Sequence, residues 1–141
     1  MKIVIDGSNA ILGRLASYAA KQALLGKEVS IVNCEKTIIS GNRKVILEKY
    51  KILRIKGGSS LKGPKFPTTP AMIVKRTIRG MLSHKQLRGS TAFKKIRCYE
   101  GLPKELVESK REMVAQSEGM NGMDLAELSE ELRWQVCLEL L

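Results

Sequence analysis

Side chains able to do covalent or metal chemistry are few in this chain and poorly spaced for it. The single histidine, His84, sits beside Lys85 and Arg88. A catalytic imidazole needs an orienting carboxylate, which only a distant Asp or Glu could bring here. Plain exposure, or contact with a phosphate or base, suits His84 better. The three cysteines, Cys34, Cys98 and Cys137, make no C-x-x-C pair, and one histidine cannot complete a zinc site with them. Their odd number, without a secretory signal, argues for reduced, buried thiols. Gly7 to Arg14 joins a strand-like run to a helical one, where a phosphate loop would lie. Its spacing is not that of a phosphate loop, because five residues separate Gly7 from Gly13 and Arg14-Leu15 follows. G-x-x-x-x-G-K-[ST] and G-x-G-x-x-G are both absent, so Gly7 reads as a tight turn. The basic region holds no paired carboxylates, the usual ligands of metal-dependent phosphoryl chemistry.

The abundant chemistry is positive charge. The chain has 141 residues and a formal charge of +11. Between Arg43 and Arg97 sixteen lysines and arginines meet one acid, Glu48, while the remainder holds nine bases and thirteen acids. Such a block needs a polyanion or open solvent, since like charges packed together repel. Phosphate backbone is the natural counter-charge. A membrane surface fits less well, because no apolar run approaches spanning length and Met1-Lys2-Ile3 opens straight into a strand-like segment. Cytoplasmic residence is the default expectation. Aromatic content is 4%, low for a sheet that stacks single-stranded bases. Phosphate contact and recognition of folded RNA by shape fit better.

The elements that must carry this charge read as α/β. Lys2 to Asp6 is a β-branched apolar run. Leu12, Leu15, Ala16, Ala19, Ala23 and Leu24 follow at helical spacing, with Gly26 as terminator, and Glu28 to Asn33 is a second strand. Strand, helix, strand implies a parallel sheet. Thr37 to Ser40 is expected as a third strand. Arg43 to Leu53 is expected as a helix buried through Ile46, Leu47, Tyr50 and Leu53. Arg54 to Thr69, broken by glycines and prolines, reads as a basic loop. Thr69-Pro70 starts a helix with Val74, Ile78, Met81 and Leu82 on one side and Lys75, Arg76 and Arg79 opposite. Ser90 to Lys95 is expected as a short helix and Ile96 to Tyr99 as the fourth strand. From Glu100 onward ten acids meet four bases. There, Lys104 to Gln116 is expected to be helical and Gly119 to Gly122 a break. Asp124-x-x-Glu127 has the shape of a capping box. The stripe Leu125, Leu128, Leu132, Val136 and Leu140 packs on the body or on a partner protein.

Four blocks resemble one family in order and spacing. They are Ile5 to Ser17, Val32 to Lys36, Ile39 to Asn42, and Arg79 to Lys85 with Gly89 and Ile96 to Gly101. Over about residues 3–103 the chain resembles the universal large-subunit ribosomal protein thirteen family, in its archaeal and eukaryotic branch. The resemblance implies a three-layer α/β/α domain around a four-stranded, mostly parallel sheet. The division it suggests is a core of 1–103 with the basic loop 54–69, and an acidic helical extension of 104–141. It also implies a structural, non-enzymatic role in the large ribosomal subunit. The expected partners are its rRNA and neighbouring ribosomal proteins, with no cofactor, metal or small-molecule substrate. Arg54, Lys56, Lys62 and Lys65 on the loop would then face rRNA. So would Lys75, Arg76, Arg79, His84, Lys85, Arg88, Lys94, Lys95 and Arg97 beyond it, with Arg43 and Lys44 at the head of the block. Two other readings share parts of the pattern. One is a free-standing RNA-binding translational regulator; the other is a nucleotide-binding enzyme using the carboxyl ends of a parallel sheet.

Overall fold

The computed structural model describes residues 1–56, 66–114, 116 and 121–139. The body is a four-stranded sheet, all parallel, built from β1 (Lys2–Asp6), β2 (Glu28–Val32), β4 (Ile96–Cys98) and β5 (Arg111–Met113), in the order β4-β2-β1-β5. Ile3 pairs with Val29, Val29 with Ile96, and Val4 with Arg111. The α/β class expected from the sequence is present. The expected fourth strand, Ile96 to Tyr99, is there as β4, but the expected third is not part of this sheet and β5 takes a place in it. β3 (Ile38–Ser40) leaves this sheet and pairs antiparallel with β6 (Gly122–Asp124).

Helix α1 (Leu12–Leu24) buries Leu12, Leu15, Ala16, Ala19, Ala20 and Ala23, the expected stripe with one added alanine. Leu24, at the end of that stripe, is instead largely exposed. Gly26, at φ +91°, turns the chain out of the helix in a conformation other residues resist. The small alanines let α1 lie close to α3 (Pro70–Met81), which also crosses β4. Ile73, Val74, Ile78 and Leu82 are the buried side of this region, and Met81, expected there, is exposed. Thr69 occupies the N-cap of α3, but its hydroxyl makes no capping bond. Its carbonyl accepts from the Met72 and Ile73 N–H groups, and the Ala71 N–H donates to Glu100 at 3.4 Å. The acid ending the β4 region thus helps hold the start of α3.

One apolar cluster joins Ile5, Val29, Ile31 and Ile96 of the sheet to α1, α3, α4 (Leu87–Lys94), α2 (Arg43–Ile55) and α5 (Leu125–Glu139). A smaller cluster holds Val4, Val32 and Leu106, with Tyr99 and Leu102 against them. Alternation along β1 explains the split, since Val4 and Ile5 point to opposite faces. Burying this surface contributes on the order of 25 cal/mol per Å² of apolar area.

The acidic third departs from expectation at Lys104–Gln116. It forms a 3-10 turn (Lys104–Leu106) and then β5, not a helix. Among the described residues there only Leu106 is deeply buried, too little apolar surface to hold an isolated helix. Backbone pairing with β1 supplies the partners instead. Leu125, Leu128 and Leu132 of α5 are fully buried in the main cluster, as their spacing requires. Val136 and Leu140 lie outside the described side chains, and so do Gly119 and Met120 of the expected break, whose last residue, Gly122, instead begins β6. The Leu125 N–H donates to the Thr37 carbonyl, tying the start of α5 to the β3–β6 ribbon. Glu127, in the first turn of α5, forms an ion pair with Arg43.

Candidate nucleic-acid interface

The Asp6–Ser8 turn is occupied by its own side chains. The Asp6 carboxylate accepts from the Ser8 N–H (3.0 Å), the Ser8 hydroxyl (2.7 Å) and the Asn33 amide (3.1 Å), and Arg111 stands 3.9 Å away. Burial pushes the Asp6 carboxyl up, but the Ser8 and Asn33 hydrogen bonds and the Arg111 charge outweigh it. The carboxyl therefore sits below its ordinary value of 3.8. A side chain on Gly7 would come within 2.9 Å of the Thr37 hydroxyl and 3.0 Å of the Val32 carbonyl oxygen. Glycine is required here for close packing, not for a phosphate. Among the described residues no three His, Cys, Asp or Glu side chains gather as a metal site.

Cys34 and Cys98, distant in sequence, come together where β2 and β4 end. The Cys34 thiol donates to the Ile31 carbonyl at 3.8 Å, and the neighbouring Cys98 thiol, followed by burial, pushes its pKa far up. Both are free and behave as core residues.

The cations divide into committed and available groups. Arg43 is committed, with its guanidinium 2.5 Å from Glu127 and 3.5 Å from Glu131 on α5. Arg54 lies in the last turn of α2, rather than on the loop, and its guanidinium donates to the Leu132 carbonyl. Lys95 donates to the Gly26 carbonyl at 3.0 Å. Lys44 and Lys56 are exposed at the two ends of α2. Lys62 and Lys65 lie outside the described residues.

The remaining candidates sit on α3, α4, the turn between them and β4. Arg79, His84, Lys85, Arg88, Lys94 and Arg97 are exposed, and Lys75 and Arg76 are half-buried. Among the described residues, ion pairs form only at Arg43 and Arg111, so none of these eight pairs with a described acid. Helical spacing places Lys75, Arg76 and Arg79 on one side of α3 while Ile73, Val74 and Ile78 face the core. The turn holding His84 and Lys85 is braced by bonds from the His84 N–H to the Leu82 carbonyl and from the Gln86 N–H to the Ser83 carbonyl. Gly89 lets α4 approach this turn, since a Cβ there would collide with the Ser83 carbonyl group.

Sequence reasoning left two groups out of the set. Arg14 and Lys49 line a hollow of about 580 Å³ with Tyr50, Phe66 and Arg76. Phe66 and Phe93 carry cations on their rings, with Arg76 4.5 Å from the Phe66 centroid and the Lys75 amine 5.4 Å from that of Phe93. The aromatics are few in the sequence, but the fold concentrates two of them beside the strongest cations.

An α/β body whose α3–α4 region carries cations that no described acid pairs with has the make-up of a protein that meets a polyanion. Comparison with known proteins defines it further. Residues 1–105 match the family model for ribosomal protein L13. The large ribosomal subunit protein uL13 of Methanococcus maripaludis is 49% identical over 104 residues, covering 72% of this chain and 76% of that protein. Those of Methanopyrus kandleri and Thermoplasma volcanium are 41% and 44% identical. They cover 94% and 92% of this chain, and 87% and 96% of their own lengths. The chain belongs to the ribosomal protein L13 family, and is a structural ribosomal protein rather than an enzyme. Among the described residues no helix is long and apolar enough to cross a membrane.

Proposed function

We propose that this protein binds the rRNA of the large subunit directly and supports folding of that RNA during assembly. The observation that carries this is the α3–α4 region, where seven lysines and arginines, with His84 among them, pair with no acid of the described residues. Lys75, Arg76, Arg79, His84, Lys85, Arg88, Lys94 and Arg97 are the contact set, with Lys44 and Lys56 at its margin. Each contact with phosphate releases counterions and adds salt dependence, while the helices fix the register of the contacts. Lys62 and Lys65 extend the same basic stretch of sequence.

The acidic segment after Pro103 has a separate part. β5 covers the edge of β1, and α5 engages Arg43 and Arg54. These two arginines therefore serve the fold and stand aside from the RNA. Residues 1–103 act as the rRNA-binding core and 104–141 as an extension held against it, facing neighbouring ribosomal proteins in the cytoplasmic ribosome.

The test is a salt titration of the purified chain against large-subunit rRNA and, in parallel, small-subunit rRNA. Preferential large-subunit binding with a steep salt slope is expected. Equal, weak binding to both would overturn the proposal.

A further inference from the structure

The cleft between α3 and α4 has chemistry beyond phosphate contact. Its volume is about 480 Å³, and its walls are Phe66, Met72, Lys75, Arg76, Arg79 and Phe93. That lies within the ~300–1,000 Å³ usual for small-ligand clefts and cannot admit a duplex. Phe66 is fixed from the far side by Tyr50, edge-on at 5.3 Å between centroids. Arg76 lies over the Phe66 ring, its guanidinium carbon 4.5 Å from the centroid. Phe93 and Lys75 form a second ring-and-cation pair lining the same cleft. Met72, 53% exposed, supplies an apolar rim. Among the described residues no acid lines the cleft.

We propose that this cleft receives one unpaired nucleotide of the bound RNA, its base against Phe93 and the Arg76–Phe66 stack and its phosphate on Lys75 and Arg79. The inference rests on the rRNA-binding reading and refines it from a charged surface to a surface with one base-sized receptor. A flat base has a π-face for both rings and the guanidinium, and RNA displays such bases at bulges and loops. Paired bases stay in their own stack and are excluded. The cations on the rings favour a ligand that is itself anionic a few ångströms from its aromatic part, which a nucleotide is.

The experiment uses the full chain and two RNA hairpins with the same tight loop and the same number of phosphates, one with a fully paired stem and one whose stem carries a bulged 2-aminopurine. The bulged hairpin should bind roughly 5- to 100-fold more tightly, the span expected for stacking of one base on an aromatic side chain. The 2-aminopurine fluorescence should fall on binding. Phe93→Ala should abolish the preference. Met72→Glu, at an exposed position where folding is not at stake, should do the same by placing an acid at the rim. Equal affinity for both hairpins, with large-subunit rRNA binding intact, would overturn the receptor and leave the proposed function standing. Failure to bind large-subunit rRNA at all would overturn both. A preference that survives both substitutions places the base elsewhere and also overturns the receptor. So would capture of an acidic aromatic peptide in the absence of any bulge preference.

Discussion

Replacing Lys75, Arg76 and Arg79 together with alanine isolates the cationic side of α3. The helix is held by Ile73, Val74 and Ile78, all 1% exposed or less, and none of these is touched. The variant therefore keeps its fold, losing the two ring contacts at ~0.5–1 kcal/mol each. Each lost phosphate contact lowers the slope of log K against log salt by roughly 0.7 on single strands and 0.9 on duplex. Three contacts give a change of roughly 2 to 3 units. Over a fourfold rise in salt, the affinity of the wild type should fall about 20- to 40-fold more than that of the variant. Filter binding to large-subunit rRNA at several salt concentrations measures the slope, and a thermal melt by circular dichroism checks the fold. An unchanged slope in a folded variant would remove α3 from the interface and refute the reasoning.

Other perturbations test the scaffold that holds these cations. Leu12→Asp places a charge at a position 6% exposed in the main cluster. The loss of at least ~3 kcal/mol is a large part of a ~5–15 kcal/mol stability, so no normal melting transition should remain. Gly89→Ala drives a methyl group into the Ser83 backbone, which cannot swing aside as a side chain would. It should cost about 1–3 kcal/mol by denaturant titration and weaken RNA binding by displacing α4. Asp6→Asn addresses pH. The folded Asp6 carboxyl lies below its ordinary 3.8, so its stabilisation is complete above that value and is lost as pH falls through the folded pKa. Wild type should exceed the variant in stability at neutral pH, and the gap should close on acidification below 3.8. A constant gap would show that Asp6 acts through packing alone.

What the sequence made legible follows how local each signal is. α1, α3 and β1 announce themselves through period and caps, because their buried stripes are written in consecutive turns. The cationic side of α3 was legible for the same reason. β5 was not, because Arg111, Glu112 and Met113 are all exposed and carry no apolar pattern. Their strand state comes from backbone pairing with Val4 to Asp6, over a hundred residues earlier. β3 showed its strand character, yet its partner β6 lies more than eighty residues downstream. Charge alone also could not separate Arg43 and Arg54 from Lys75 and Arg79. The first pair is claimed by α5 through Glu127, Glu131 and the Leu132 carbonyl, which only the fold brings near. Phe66 and Phe93 are likewise unremarkable until α3 and α4 bring them to one cleft.

The most direct test is sedimentation of native lysate through sucrose gradients at low and moderate salt, probed for this protein. The account predicts that it travels with the large subunit and stays there at moderate salt, as several simultaneous phosphate contacts on a rigid surface require. Recovery only at the top of the gradient at both salts would contradict it, and would favour a free-standing RNA-binding regulator.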